Sequence, residues 1–450
     1  MNENTRSFRM AFPLPSYRST IKALWVLTLI GIFIRVGLIF FFNDYQHPAT
    51  VEYGIVANHL VTGKGFAGGG WLGPEAPTAL NTPIYPLVLA GALKLAIQFG
   101  LPEASAYLGV ELMQAILSGL MIYLIGWVVT HIADSRIGLI TAALTTIYLP
   151  FLYFNKQLSP ATLTAFFTIL SLSAVLFLLQ KPSFGRAIWT GVLFGIAMLA
   201  EPILALAIPG AIIIAGIHKY RLAQISDYKP LSATMAVCVV ICALTILPWT
   251  IRNAVVFNRL IPFKTSFGLN LWMGNNANAT GYLYTTDGTP IQYTIPASEL
   301  TKLSALNEAD RYALMEREAW AWIASHPVSF VELTAKRFLY FWWMSPTYQV
   351  TDQNIAEPAY YYALRSILQL LILSFAAIGG IIAVRKHRYL LTMCVWYMVA
   401  FTAPYVISVA GNTRYRLPAE PFALALVAVT LITGYELLQI RLQNGKHPHQ

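Results

Sequence analysis

Apolar runs close to 20 residues long recur along the whole chain, separated by short polar breaks. A helix crossing a hydrocarbon core about 30 Å thick needs a run of that length. The runs do not alternate in polarity as barrel strands would. The pattern predicts an all-α polytopic membrane protein with about ten spans. They fall at residues 23–42, 105–130, 137–154, 161–180, 187–200, 203–217, 231–250, 360–384, 389–410 and 418–438. Two polar breaks are longer than a connection requires. The first, 43–82, carries a short amphipathic stretch over 52–61 that predicts an interfacial helix, ended by Gly63, Gly65 and Gly68–Gly70. The second, 252–345, has helical character in its middle. It closes on an aromatic run, Val328–Met344, of the kind that settles at a membrane interface.

Charge orients this pattern. Charged residues are 11% of the chain, against about 25% in ordinary domains. The net charge of +10 comes from Lys and Arg beside the spans, which argues for membrane topology rather than nucleic acid. Arg6, Arg9, Arg18 and Lys22 place the N-terminal tail in the cytoplasm by the positive-inside rule. The apolar piece Pro83–Phe99, interrupted by Lys94, would put every later basic loop outside if it crossed. It therefore reads as juxtamembrane or re-entrant, packed on the outer face. The expected organisation is a cytoplasmic tail 1–22, a membrane domain 23–251 with outer loop 43–104, an extracytoplasmic or interfacial segment 252–345, membrane helices 346–438 and a cytoplasmic tail 439–450. The first run reads as a retained anchor, with no cleavage site after it. Arg35 inside span one needs a partner or a wet cavity, or else snorkels to the interface. Cys238, Cys242 and Cys394 lie in apolar spans and read as packing.

Chemistry must then come from ionisable residues at the outer span ends. These are Glu52, Lys64, Lys156, Glu201, Arg252, Arg259, Lys264, Lys336, Arg337, Arg414, Arg416 and Glu420. One acid in the first loop with several cations suits an anionic lipid headgroup, since Arg recognises phosphate by paired, charge-assisted hydrogen bonds. Glu52 reads either as a general base or as an acid favouring a helix N-terminus. Arg252, Arg414, Arg416, Lys156, Lys336 and Arg337 read either as phosphate ligands or as interfacial anchors. Tyr53, Glu201 and Asn275 are candidate donor contacts, with turn chemistry as the alternative for the last two. No metal-ligand set appears at ligand spacing, and no nucleotide-binding loop. No cofactor is required; the partial set of Glu52 with His47 or His59 leaves a divalent metal possible but not indicated. Any reaction draws on energy stored in a membrane-delivered substrate.

Several segments resemble one family. P-x-x-x-E-Y-x-x-x-A-x-x-L-x-x-G-x-G-F around Glu52-Tyr53, followed by P-T-A and P-I-Y-P, is similar to the first extracytoplasmic loop of the C-type glycosyltransferases. The nearest group is that of the bacterial dolichyl-phosphate-mannose-protein mannosyltransferase relatives, which includes the aminoarabinose transferases of lipid A. L-A-E-P-I-L-A-L at 199–206, the stretch 248–263, the stretch 267–281 and R-Y-R-L-P-A-E-P at 414–421 also match, in the family's order. The resemblance implies a polyprenyl-phosphate sugar donor, a lipid, glycan or protein acceptor, an acidic base in the first outer loop and inverting transfer at the extracytoplasmic face of a bacterial inner membrane. Many relatives carry an acid four residues before the Tyr; here that position is Ala49, which leaves Glu52, with Asp44 upstream as a weaker substitute. A transporter or flippase of a lipid-linked or anionic amphipathic substrate is the alternative. Against it, the chain shows no internal repeat with paired broken helices.

Overall fold

The computed structural model describes residues 16–68, 76–223, 229–343, 359–409 and 413–444. The glycines at 69, 70 and 73, most of the N-terminal tail and the end of the C-terminal tail lie outside the described residues. The elements in chain order are α1 (Tyr17–Phe42), α2 (Val51–Val61), α3 (Ile84–Gln98), α4 (Glu103–Ile132), α5 (Ser135–Ile147), α6 (Leu149–Asn155), α7 (Ala161–Gln180), α8 (Phe184–Ala200), α9 (Leu204–Ala223) and α10 (Lys229–Phe257). They continue with α11 (Ser266–Gly274), α12 (Ala297–Ser304), α13 (Glu308–Ser325), α14 (Pro327–Trp342), α15 (Ala359–Lys386), α16 (Arg388–Ile407), α17 (Thr413–Arg416) and α18 (Glu420–Asn444). Among the described residues seven helices are long and apolar enough to cross a membrane, or eight if the bent pair α5–α6 is one span. The spans expected at 187–200 and 203–217 fall on shorter apolar helices, α8 and α9.

The helices approach closely where side chains are small. Gly191 and Gly195 lie one turn apart on α8 and face α10. A Cβ on Gly191 would come within 2.6 Å of the Cys238 carbonyl, and one on Gly195 within 2.5 Å of Thr245 Cβ. This is the small-residue seam that membrane helices use in place of a hydrophobic driving force. Cys238 and Cys242 line it, in keeping with the packing reading.

Arg35 has partners rather than a route to the interface. It is fully buried and donates to Ser118 Oγ at 2.7 Å and to the carbonyls of Gly31, Thr146 and Thr145 at 3.0, 3.3 and 3.4 Å. The last two carbonyls lie where α5 ends. The chain is extended at Tyr148 and α6 restarts at an angle of 51° with a proline in its first turn. A break leaves helix-end carbonyls without partners, and Arg35 supplies them from the neighbouring helix.

Two ends of the bundle can be told apart by their contacts. At one end Arg136 pairs with Glu436 at 3.3 Å, His387 approaches Asp134 at 4.0 Å, and His218 stacks on Tyr389. At the other end lie α2, α3, the turn 155–160, the corner 201–203 and α11–α14. Helix α3 belongs wholly to this second end. Its Tyr85 hydroxyl donates to Gln114 Oε1 at 3.1 Å, while Gln114 Nε2 donates to the carbonyls of Asn155 and Gln157 at 2.8 and 3.0 Å. The turn between α6 and α7 is thus level with Gln114. Leu89, Leu93 and Ala96 pack with Ala106, Tyr107 and Val110, residues of α4 before that level. With about 1.5 Å of rise per residue, the 15 residues of α3 are too few for the hydrocarbon core. The non-crossing expectation for Pro83–Phe99 agrees with this packing.

Candidate active site

Residues from four separate elements converge at the loop-rich end. Helix α2 begins with Val51 at φ +46°, a conformation that a β-branched residue seldom adopts. Glu52 follows at once, half-buried, and no hydrogen bond holds its carboxylate among the described residues. It stands in the first turn of α2 without a side-chain cap bond, so the helix end takes at most its charge. Tyr53 is buried against Tyr85, edge to face at 5.4 Å. Its hydroxyl lies within electrostatic reach of Arg414, Glu52, Tyr415 and Glu201, and burial raises it well above an ordinary tyrosine against the pull of Arg414. Arg414 stands over the Tyr415 ring at 4.6 Å and bonds its hydroxyl. Tyr405 stacks on Tyr415 at 4.4 Å and is reached by Glu201, Arg414 and Tyr53. The result is a cluster of charge among aromatic rings. It has one uncommitted carboxylate, one half-buried guanidinium, and Glu201 held by Lys264 at 2.9 Å.

The loop bearing Glu52 is fastened from two sides. Residues 66–68 and 76–78 pair as an antiparallel bridge, with Gly68 N donating to Ala76 O at 2.9 Å. Arg252 donates to Thr78 O and Phe66 O, each at 2.7 Å, and packs among Phe66, Trp249 and Phe257. From the other side Glu308 accepts from Thr78 Oγ1 at 2.5 Å, Ala79 N at 2.8 Å and Thr265 Oγ1 at 2.6 Å. His59 Nδ1 donates to Ala67 O at 2.8 Å. Gly68 sits at φ +81°, and a Cβ there would press on that imidazole at 2.9 Å.

Residues 81–249 match the family model described as dolichyl-phosphate-mannose-protein mannosyltransferase. Among solved structures, the apo oligosaccharyltransferase of Archaeoglobus fulgidus superposes with a TM-score of 0.51 at 14% identity, over 97% of this chain and 53% of that one. The chain has the C-type glycosyltransferase fold, and over residues 81–249 it is similar to that mannosyltransferase family. It spans about half the length of the oligosaccharyltransferase. The same archaeal enzyme, AglB, in complex with an inhibitory peptide and a dolichol-phosphate gives a TM-score of 0.48 at 14% identity, with 97% and 53% coverage. ArnT from Cupriavidus metallidurans bound to undecaprenyl phosphate gives 0.39 at 13%, with 92% and 78% coverage. No curated protein matches the chain in sequence. The family match ends before α17 and begins after Glu52, so both charged ends of the site rest on geometry.

The remaining sequence candidates are engaged elsewhere. Arg337 is fully buried and donates to the carbonyls of Val406 and Ile407 at 2.9 and 2.8 Å, to Asn275 Oδ1 at 2.9 Å and to Gly274 O. Asn275 donates to Leu271 O and Ile407 O at 2.8 and 3.0 Å. Together they tie the ends of α11 and α16 and face no open space. Arg416 pairs with buried Glu420 and donates to Phe341 O at 2.7 Å. Lys156 pairs with Asp44 over the Phe42 ring. Lys336 is exposed on α14. No group of three His, Cys, Asp or Glu that could hold a metal occurs among the described residues. Sequence reading overlooked Tyr405, the fastening role of Glu308, and Glu111, an acid whose position inside an apolar span was itself a signal.

Proposed function

We propose that the chain transfers a sugar from a polyprenyl-phosphate donor to an acceptor hydroxyl at the extracytoplasmic membrane face, with inversion and with Glu52 as general base. The observation that carries this is the convergence of Glu52 and Tyr53 of α2, Glu201 of the corner after α8 and Arg414 of α17, with the Glu52 carboxylate held by no ion pair while Glu201 is held by Lys264. The acceptor oxygen attacks the sugar C1 while the bond from C1 to the phosphate oxygen breaks. Glu52 takes the hydroxyl proton, and the lipid phosphate departs with the bonding pair. A positioned base contributes roughly 10²–10⁴ in rate. Arg414 meets the charge that grows on the leaving phosphate, where a preorganised donor is worth most. Tyr405 and Tyr415 offer ring faces to the sugar and exclude water. The family relation and the fold support a lipid-linked donor; sugar and acceptor follow from neither.

The test is transfer from radiolabelled polyprenyl-phosphate sugars by the purified protein in lipid nanodiscs, with Glu52→Gln and Asp44→Asn alongside. The Glu52→Gln protein should lose about 10²–10⁴ in kcat. Undiminished turnover would remove Glu52 as base. Lipid movement across liposomes without any transfer would replace the reading with transport.

A further inference from the structure

Glu111 is the most anomalous ionisable group among the described residues. It is fully buried in α4, and neither carboxylate oxygen has a hydrogen-bond partner. Buried polar groups are nearly always paired, and a buried charge without a partner is costly. Asp44 and Lys156 both lie within its electrostatic reach. Asp44 belongs to the 3₁₀ turn Asp44–Gln46, at the start of the loop that leads to Glu52. Lys156 stands in the turn between α6 and α7, largely buried, and its ammonium is committed to Asp44. Two carboxyls therefore share one cation, and the unpaired one is the drier. Gln114, one turn further along α4, holds that same turn by the carbonyls of Asn155 and Gln157. Lys156 is thus anchored where either carboxyl can claim it.

We infer that Glu111 is a positioning residue that carries a proton beneath the Asp44–Lys156 pair and, on losing it, draws Lys156 away from Asp44 and loosens the start of the catalytic loop. The groups that face it set the balance. Asp44 and Lys156 face it from the loop start and from the turn between α6 and α7; Tyr85 of α3 lies alongside, and Arg35 of α1 is engaged two turns further along at Ser118. While Glu111 is neutral, Lys156 has one anionic partner and the loop start is pinned. Once it ionises, the buried carboxylate competes in a medium where attraction is stronger than at the exposed pair. The device would tie the geometry around Glu52 to the pH of the compartment at that face. That consequence rests on the glycosyl-transfer reading; the latch itself does not.

Two readouts need neither donor nor acceptor. The first is infrared titration of the full chain in nanodiscs. A protonated carboxylic acid C=O band should persist at neutral pH, fade on alkalinisation and be missing from Glu111→Gln. The second is a nitroxide attached through Gln46→Cys. Its mobility should rise as the band fades in the otherwise native chain, stay low at all pH in Glu111→Gln, and be high at all pH in Lys156→Met. A band that survives Glu111→Gln overturns the protonated carboxyl. A label whose mobility ignores both variants overturns the latch. Loss of transfer activity with both readouts intact would count against the function proposed above and leave the latch standing.

Discussion

Six basic side chains near span ends are chemically alike on paper and unlike in place. Arg252, Arg337 and Arg416 spend their donors on main-chain carbonyls at helix and loop ends. Arg414 faces Glu52, Tyr53 and two tyrosine rings. The difference predicts opposite phenotypes. Arg337→Met leaves several buried acceptors unpaired, at roughly 1–3 kcal/mol each. It should lower the denaturation midpoint sharply and reduce activity only in proportion to folded protein. Arg414→Met should lose on the order of 10² in kcat with a much smaller change in midpoint. Equal stability losses for the two would contradict the division into scaffold and site. Position could not be read for these residues because a guanidinium near a span end satisfies carbonyls and phosphates by the same hydrogen bonds. Glu52 was more legible. Its neighbour Tyr53 and the glycines after it mark a loop motif.

At the level of elements, small residues and helix breaks place the site. The α8–α10 seam sets the corner at Glu201 and the height of Arg252. Gly191→Leu should force those helices apart, costing about 1–3 kcal/mol, and a midpoint unchanged in thermal unfolding would refute the close approach. The corner between α15 and α16 offers a pH test. Burial lowers the His387 imidazole below its ordinary value, partly opposed by Asp134. The folded state then binds the proton less readily than the unfolded state. The stability contribution is present above the ordinary histidine range and is lost as pH falls below about 6.5. In His387→Gln the slope of stability against pH between roughly 6.5 and 5 should flatten. Both effects come from contacts between elements distant in sequence.

For the molecule as a whole, the contacts divide the bundle into a loop-rich end that carries the site and an opposite end rich in basic corners. On the proposed reading the first end faces the extracytoplasmic side, as the charge pattern predicts. Reporter fusions after Phe99 and after Arg388 should report the outside and the cytoplasm respectively. A cytoplasmic signal after Phe99 would mean that α3 crosses after all and would invert everything beyond it. The segment 252–345 also gains a second task at this scale. Beyond lying at the interface, it supplies Glu308, which fastens the loop bearing Glu52 through Thr78, Ala79 and Thr265.

The sequence by itself determined the helical class, most of the long apolar helices and the loop that holds Glu52. Those features follow from run length, charge sign and local turn residues, all of which act over a few tens of residues. It named the family resemblance through motifs kept in order. Only the tertiary structure decided which cations serve the site, that Arg35 closes a helix break, that Lys156 is claimed by Asp44, and that Glu111 lies dry beneath them. Each of those depends on which carbonyl or carboxylate arrives from an element far along the chain, and pairing across such distances is set by packing rather than by pattern.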